Sequence, residues 1–337
     1  MSRRLLPTLA CMAALLIGGA SATRAAEPVK IRIAWIVPVS NIAPILFAKS
    51  GLTKHLGKSY IIEPVKYQGT PPMITGLSVD ELDVSLLGFS SLHLAIQNAG
   101  LDSLRIFADE IQDGAEGYAT NEYLVRNDSD IKNVSDLKGK VIATNVIGSG
   151  VDIAFRAQMK QAGLVDKKDY TVVETPFGAM KAMLSEKKVD MISAVLPFSQ
   201  DPQLRSVART LFTQRDAMGL SELGIWVAKK EFLDRNKAAV IDFLEDAIVA
   251  VRWYMDPKNH DEAVQIASKF AKIPPAAFDS WLFTKKDYYR DPNLMPNVKA
   301  LQANLDLQLS LGVLKTKLDV SKYTDTSLLE QALKRLP

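Results

Sequence analysis

The sequence predicts an α/β protein with two similar lobes, because one order of elements is written twice in it. Residues 31–90 follow the pattern strand, polar loop, helix, strand, loop, helix and short strand, and residues 141–199 repeat that pattern. The last strand of each unit contains an aspartate, Asp83 or Asp190, and both units end in Phe-Ser. Two successive β-α-β-α-β units imply two lobes, and the loops at the carboxyl ends of their strands open onto a crevice.

The individual elements follow from hydrophobic periodicity and from the positions of glycine and proline. Strand candidates are short and rich in Val, Ile, Leu and Tyr; they cover residues 30–36, 60–67, 82–87, 104–108, 122–126, 140–144, 170–174, 189–195 and 224–228. Helices are predicted at residues 43–56 and 152–162, and beyond residue 228 at 230–255, 260–271, 275–283, 297–311 and 326–335. The C-terminal third is therefore predicted to be helical and to pack onto a lobe that is already formed.

The chain crosses between the two predicted lobes twice. Residues 112–121 and 214–224 are polar and contain Gly114, Gly117 and Gly219. We predict that lobe one comprises residues 27–115 and 222–337 and that lobe two comprises residues 116–221. Two crossings form a hinge, since few backbone dihedral angles have to change when the lobes close.

Residues 1–25 have the three-part pattern of a secretory signal peptide, with a membrane anchor as the alternative. Arg3 and Arg4 precede an apolar run at residues 5–19, which is short for a membrane span, and small residues follow it. The only cysteine, Cys11, lies in this segment, so the exported chain has no thiol for a disulfide, a metal or catalysis. Removing the segment with its three arginines leaves 38 basic and 38 acidic residues, which gives no sign of a nucleic-acid-binding surface.

The loops that follow the strands are the candidate binding elements, because they end at the predicted cleft. In lobe one, Ser40 or Asn41 either caps the next helix or hydrogen-bonds a ligand. Thr70 precedes two prolines that mark the start of another helix. The rings of Phe89 and Phe198 either enclose a ligand or pack beneath their own loops.

The most distinctive local motif is TNVIGSGVD at residues 144–152, which follows a strand and begins a helix. Free backbone N–H groups at a helix start attract an anion, and the glycines allow a ligand to approach closely. The alternative is a capped helix, because Ser149 and Asp152 have the spacing of a capping box. No histidine has a metal-ligand spacing and no serine has a nucleophile-elbow setting, so we predict neither a metal site nor a catalytic residue.

Several motifs in a fixed order carry a family resemblance. They are IRIAW at 31–35, Gly69, DELDV at 80–84, GFS at 88–90, VRNDSDI at 125–131, DLKGKV at 136–141, GSG at 148–150, AGL at 162–164 and VD at 189–190. Together they resemble the periplasmic substrate-binding proteins of ABC importers for nitrate, aliphatic sulfonates and taurine. The resemblance covers residues 29–200 well and the helical remainder in outline.

The resemblance implies a two-lobed periplasmic-binding-protein fold of type II, with a two-strand hinge and the ligand between the lobes. By position, it implies ligand contacts from Ser40, Asn41, Thr70, Phe89, Ser90, Asn145, Ser149, Gly150 and Val151. It also implies a periplasmic monomer without a cofactor. Such a protein delivers a small organic or oxyanionic solute to an ABC permease, which works with its ATPase in the inner membrane.

The chain departs from the family pattern at two places, and two other functions stay open. The usual KEKGLF after the first helix is AKSGLT at 48–53, and the common Trp-x-Pro of the second lobe is replaced by VLP at 195–197. The ligand is therefore a sulfonate or a larger or amine-bearing organic molecule. An enzyme on the same fold, such as a pyrimidine-precursor synthase or a desulfinase, is the first alternative function. A solute sensor is the second.

Overall fold

The computed structural model describes residues 27–337, so the predicted signal peptide lies outside the described residues. Within them the chain forms ten strands, with most of the predicted positions within a few residues. The strands are β1 (Val29–Trp35), β2 (Tyr60–Lys66), β3 (Ser85–Leu87), β4 (Leu104–Asp113), β5 (Glu122–Arg126), β6 (Lys140–Thr144), β7 (Tyr170–Glu174), β8 (Met191–Ala194), β9 (Ala208–Thr213) and β10 (Ser221–Lys229).

The same part of the chain contains ten α-helices. Five of them follow β10 and lie in the C-terminal third. The ten helices are α1 (Thr70–Ser78), α2 (Gly150–Gln161), α3 (Phe177–Ser185), α4 (Pro202–Val207), α5 (Gln214–Met218), α6 (Lys230–Arg235), α7 (Lys237–Met255), α8 (His260–Ala271), α9 (Val298–Ser310) and α10 (Ser327–Leu333). Among the residues described, none of the helices combines the length and the apolar character needed to cross a membrane.

The strands form two sheets with equivalent orders, which confirms the predicted two-lobed α/β fold. In lobe two the order is β7-β6-β8-β5-β9. In lobe one β2 pairs with β1, and β3 pairs with β10 and then β4. A parallel bridge between Ile33 and Val84 joins these two groups into the order β2-β1-β3-β10-β4. In lobe one β10 pairs antiparallel with β3, and in lobe two β5 pairs antiparallel with β8. Both β10 and β5 directly follow a crossing.

The two crossings between the lobes lie side by side and are hydrogen-bonded to each other. One runs from the end of β4 to β5, and the other runs from β9 through α5 to β10. The N–H of Gln214 donates to the carbonyl of Asn121 at 2.8 Å, and the Asn121 carboxamide donates to the Gln214 side chain at 3.0 Å. The Asp113 carboxylate accepts from the Asn121 N–H at 2.7 Å and orders the first crossing. The lobe boundaries at residues 115/116 and 221/222 stay a prediction.

The predicted helix at residues 43–56 is wrong, because this segment forms turns. One helical turn closes where the Leu46 N–H donates to the Ile42 carbonyl at 2.7 Å. Further along, the carboxylate of Asp246 on α7 accepts from the N–H groups of Lys54, His55 and Leu56. A distant carboxylate therefore satisfies the donors that a helix would have used, and no sequence pattern within residues 43–56 indicates it.

Three further elements differ from the sequence prediction. Strand β9 was missed, because its three apolar residues, Ala208, Leu211 and Phe212, neither alternate nor form a continuous apolar run. The predicted helix at 230–255 is divided at Asn236, whose carboxamide donates to the Phe232 carbonyl at 3.0 Å and so satisfies the end of α6. The predicted helix at 275–283 is reduced to a short 3₁₀ turn at Pro275–Ala277 followed by other turns.

Aromatic side chains attach the C-terminal helices to lobe one. Phe243 on α7 packs against Tyr60 on β2 and against Trp226 on β10, with ring centroids 5.7 Å and 5.4 Å apart. All three side chains are buried. Each fully buried aromatic side chain of this kind stabilises a fold by about 1.5–3 kcal/mol. The C-terminal third thus supports the sheet from which the lobe-one loops project.

Candidate functional site

A cavity of about 80 Å³ lies between the two lobes, where loops follow the carboxyl ends of the strands. This volume accommodates several water molecules or a small solute. The structure brings together most of the residues that were predicted as ligand contacts. Those lining the cavity are Ser40, Asn41, Thr70, Ser90, Asn145, Ser149, Gly150 and Val151.

Phe89 and Phe198, which were also predicted as ligand contacts, are not among the residues that line this cavity. Phe89 is fully buried, and its ring lies behind Gly150, 3.7 Å from where a Cβ atom on that glycine would be. Phe198 stacks on Phe177 with a centroid distance of 6.2 Å and an interplanar angle of 22°. Phe177 lines the cavity, as does a second aromatic residue, Tyr288. Both rings lie outside this cavity, and a contact of either Phe89 or Phe198 with a ligand stays a prediction.

Sequence reasoning missed Tyr288 and Asn121, which line the cavity and connect it to the crossings. The Tyr288 hydroxyl donates to the Asn121 carboxamide oxygen and accepts from the Leu196 N–H at 3.0 Å. Asn121 in turn contacts Gln214 of the second crossing. Tyr288 lies between the predicted helices at residues 275–283 and 297–311, with no predicted strand end near it, so no local signal marks it. Asn121 lies in a crossing that was identified only as polar.

Ser40 and Asn41 do not cap a helix, because no helix begins near Ile42. The Asn41 carboxamide oxygen accepts from the N–H groups of Ile36 and Val37, at 3.0 Å and 2.9 Å, and thereby closes the loop after β1. The Ser40 hydroxyl donates across the cleft to the Leu196 carbonyl at 2.6 Å. Both side chains are used to shape and close the cavity.

The motif at residues 144–152 combines a helix cap with two unused backbone donors. Ser149 is the N-cap of α2, and its hydroxyl accepts from the Asp152 N–H at 3.4 Å and donates to the Asn145 carboxamide oxygen at 2.6 Å. Within the described residues, the N–H groups of Gly150 and Val151 donate to no protein acceptor. Both residues line the cavity, so these donors are available there.

Several hydrogen bonds join the lobes across the cleft, among them the bond from the Leu196 N–H to the Tyr288 hydroxyl. Besides the bond from Ser40 to Leu196, the Asn145 side-chain amide donates to the Gln68 carbonyl at 3.0 Å. Gly69 approaches Val146 of the other lobe so closely that a Cβ atom on it would lie 3.0 Å from the valine Cγ2. The lobes are therefore in contact across the cleft, and side chains from both of them line the cavity.

Every described residue that lines the cavity is uncharged. A buried carboxyl group, that of Glu110, lies behind the loop after β1. One oxygen of Glu110 accepts from the N–H groups of Ile42 and Ala43, at 2.8 Å and 3.3 Å, and the other accepts from the Trp226 indole at 3.2 Å. Burial raises the pKa of Glu110 to about 7, although these donors and nearby Arg290 favour its charged form.

A second buried carboxyl group, that of Asp152, lies in the first turn of α2. One of its oxygens accepts from the Gly148 N–H and from the Arg156 guanidinium, both at 2.8 Å. Burial raises the pKa of Asp152, and the positive charge of Arg156 opposes that change. The carboxylate therefore places negative charge behind the same turn whose N–H groups face the cavity.

Asp109 on β4 and Glu222 on β10 form a pair of buried carboxyl groups on neighbouring strands. Burial raises the pKa of Asp109 to about 7 and raises the pKa of Glu222 well above its usual range. Asp109 also accepts from the Gln112 side chain and the Asp291 N–H, and Glu222 accepts from the Asn297 N–H. One oxygen of each carboxyl group has no other hydrogen-bond partner among the described residues. A proton shared between the two groups would satisfy both of these oxygens.

This pair leads us to expect that the protein is more stable at pH 5 than at pH 9. Both groups bind a proton more tightly in the folded chain than in the unfolded chain, where carboxyl pKa values are about 4. Their stabilisation is complete below that value and is lost as the pH rises through the folded pKa, which is about 7 for Asp109. Thermal unfolding in buffers of equal ionic strength should therefore give a Tm several degrees lower at pH 9.

The variant Asp109→Asn should show a weaker dependence of Tm on pH, because the amide cannot titrate and can donate to Glu222. Asp80→Asn is the matched control, because Asp80 is exposed and Lys229 lowers the pKa of its carboxyl group. Its Tm should change between pH 5 and pH 9 as that of the parent protein does. An unchanged pH dependence in Asp109→Asn would contradict the assignment.

Two α/β lobes with equivalent sheets, joined by two crossings around a cavity, have the architecture of the periplasmic solute-binding proteins. The chain belongs to the NMT1-like family, which it matches over residues 24–268.

Comparison with individual proteins gives the same fold. The chain is 26% identical over 270 residues to a protein of Bacillus subtilis (strain 168) named as an aliphatic sulfonates-binding protein, covering 80% of this chain and 77% of that protein. The alkanesulfonate-binding protein SsuA of Xanthomonas axonopodis pv. citri, bound to MOPS, superimposes with a TM-score of 0.68 at 21% identity and covers 89% of this chain and 99% of that one. The periplasmic nitrate-binding protein NrtA of Synechocystis PCC 6803 gives 0.72 at 17% identity, over 92% and 89% of the two chains.

The same fold also occurs in an enzyme. The desulfurization enzyme DszB superimposes with a TM-score of 0.66 at 15% identity and covers 92% of this chain and 100% of that chain. At this level of identity the likeness concerns the fold alone. Whether this chain binds or converts its ligand must therefore be argued from the cavity.

Proposed function

We propose that this protein captures a small organic solute between its lobes in the periplasm and delivers it, as a monomer, to an ABC permease with its ATPase in the inner membrane. The observation that carries the proposal is the cavity between the lobes. Its walls come from both lobes, and Tyr288 connects it to the crossings through Asn121. A solute in this position contacts both lobes only when they are closed, so binding favours the closed form that a permease would recognise.

The comparisons support this proposal at the level of the protein class. The two sequence relatives are named as aliphatic sulfonates-binding proteins. The solved structures of similar fold include a sulfonate-binding and a nitrate-binding protein that are described as periplasmic. The signal-peptide pattern at residues 1–25 adds support for export. The named solutes belong to those proteins, and the solute of this chain has to be inferred from its own cavity.

An enzymatic role is less well supported by the cavity. In the described residues, no acid, base, histidine or cysteine side chain lines it. The Ser149 hydroxyl donates to Asn145 and has no neighbouring base that could activate it. The only cysteine of the sequence, Cys11, lies in the predicted signal peptide. The residues that line the cavity are suited to hold a molecule, and general acid–base or nucleophilic catalysis has no group there.

We expect a narrow set of compounds to raise the Tm of the protein and to be recovered unchanged. A ligand at 100 times its Kd stabilises the folded state by about 2.7 kcal/mol, which raises the Tm by roughly 5–10 °C for lobes of this size. The screen should cover sulfonates, nitrate, amino acids, amides, aromatic acids and pyrimidines, with each hit analysed by mass spectrometry after incubation. Conversion of a hit into a product would overturn the binding-protein proposal. The variant Gly150→Val, which fills the cavity, is the control.

A further inference from the structure

The first loop of the cleft cannot supply its usual donors to an anionic ligand. The N–H groups of Ile42 and Ala43, which follow the cavity residues Ser40 and Asn41, both donate to the carboxyl group of Glu110. No α-helix follows them, so there is no helix dipole directed at the cavity. A carboxyl group of the protein itself thus occupies the place where the anionic group of a solute would find these donors.

The second loop is deprived of donors in a different way. Helix α1 begins at Thr70, and its next two residues are Pro71 and Pro72, which have no N–H group. The Thr70 hydroxyl remains available to a ligand. Thr70 lines the cavity, and its buried hydroxyl oxygen has no hydrogen-bond partner within the described residues. A hydroxyl is a single neutral donor and acceptor, and it can serve an uncharged polar group as well as an ion.

The loop after β6, at residues 144–152, retains two backbone donors, but a carboxylate lies in the same turn. Gly150 and Val151 line the cavity and their N–H groups donate to no acceptor within the described residues, whereas Asp152 lies in the same turn and is 1% exposed. The charge of Asp152 opposes the positive end of the α2 dipole, which is what makes a helix start attractive to an anion. The loop before α3 contributes the ring of Phe177 to the cavity.

From these observations we infer that the solute is an uncharged organic molecule with one acceptor group, such as a carbonyl, amide or sulfone oxygen. Its oxygen accepts from the N–H groups of Gly150 and Val151 and from the Thr70 hydroxyl. Its apolar part packs against Ile36, Val37, Leu86, Ile111, Phe177 and Leu223, which line the rest of the cavity. The inference rests on the proposed function and specifies the class of solute.

The energetic reason is the cost of removing an ion from water. Transfer of an ionised group into a closed cavity is strongly unfavourable unless opposite charge or several donors compensate it. Among the described residues no cationic side chain lines this cavity, and the charges behind its walls are paired: Asp152 with Arg156 at 2.8 Å, and Glu110 near the buried Arg290. An uncharged solute avoids this cost and requires only a few hydrogen bonds.

The first test determines the charge of whatever the protein retains when it is purified from a bacterial periplasm. Native mass spectrometry gives the mass of the retained molecule, which is then released by denaturation and applied to anion- and cation-exchange resins at pH 7. A molecule that neither resin retains supports the inference. A retained acid or base overturns it and leaves solute capture standing. A protein that retains nothing, and that no compound in the following test stabilises, counts against solute capture itself and therefore against both proposals.

The second test uses isosteric pairs that differ in charge, with protein freed of retained molecules by unfolding and refolding. Dimethyl sulfone is compared with methanesulfonate, and acetamide with acetate, at 1–100 mM and constant ionic strength. In the parent protein the neutral member of a pair should give the larger increase in Tm. A larger increase with the anion would overturn the inference.

The variant Asp152→Asn shows whether this assay can detect an anion in the cavity. The amide keeps an acceptor for the Gly148 N–H, and Arg156 keeps its ion pair with Asp166 at 2.8 Å, so we expect the fold to persist. Without the carboxylate, methanesulfonate should raise the Tm of the variant by a few degrees more than that of the parent protein. An equal response of both proteins would show that Asp152 does not repel anions and would remove a main support of the inference.

Discussion

Replacing Gly88 with alanine is expected to lower the stability of the protein by about 3 kcal/mol, because overpacking at a site without free space forces the backbone to move. A Cβ atom on Gly88 would lie 2.3 Å from the Leu223 carbonyl oxygen. That oxygen belongs to the irregular part of β10, where the register shifts between Glu222 and Gly224. The contact is with backbone, so it cannot be relieved by rotating a side chain. Thermal unfolding should show a Tm lower by roughly 6–12 °C.

The matched control is Gly178→Ala in the first turn of α3. A Cβ atom on Gly178 would have its nearest neighbour, Phe198 Cε1, at 3.8 Å, which is ordinary van der Waals contact. Alanine should therefore leave the stability unchanged or raise it by about 0.4–1 kcal/mol, since it restricts the unfolded chain. If Gly88→Ala were as stable as Gly178→Ala, the close packing of β10 against the loop after β3 would be wrong.

The features of the fold that could be predicted from the sequence are those that depend on local pattern. The strands Glu122–Arg126, Lys140–Thr144 and Tyr170–Glu174 have the predicted bounds, because each is a short run of β-forming residues between polar turns. The repeated order of these elements was enough to predict two lobes. The failed helix at residues 43–56 shows the limit of this approach, since the backbone donors at its end are taken by Asp246, about 190 positions further along the chain.

The candidate site also combines residues that local sequence patterns predict with residues that only the packing of distant segments brings to the cavity. Residues in loops after strands, such as Thr70 and Ser149, could be placed at the cleft because the carboxyl ends of strands in an α/β lobe face its crevice. Tyr288 could not, because it reaches the cavity from an irregular segment whose position is fixed only by packing. The role of Glu110 could not be predicted either. One of its oxygens accepts from the N–H groups of Ile42 and Ala43, and this contact exists only when β4 lies beside the loop after β1.

This second group of contacts bears on the charge of the solute. The fold is similar to that of sulfonate-binding and nitrate-binding proteins, and the loops after its strands line the cavity. Whether the solute carries a charge depends on Glu110 and Asp152, which do not line the cavity and are identified only through the groups that they contact. The class of solute is therefore encoded in residues behind the cavity wall.

Replacing Gly150 with valine is expected to weaken solute binding at least 100-fold, which corresponds to about 2.8 kcal/mol, while the protein remains folded. A Cβ atom on Gly150 would lie 3.1 Å from Cδ1 of Leu223, the end of a flexible side chain that can move. The two additional methyl groups of valine would occupy part of a cavity of only about 80 Å³ and would cover the N–H groups of Gly150 and Val151. Isothermal titration with the compound that raises the Tm most should measure the loss.

A graded series separates this steric effect from general damage to the fold. Gly150→Ala should bind more weakly than the parent protein and more tightly than Gly150→Val, because its single methyl group fills less of the cavity. Gly178→Ala introduces the same change in a helix start outside this cavity and should bind normally. Far-UV circular dichroism and the Tm of each variant without solute report on folding. If Gly150→Val is folded and binds within threefold of the parent protein, the turn at residues 148–152 is only a helix cap, and the solute is bound elsewhere.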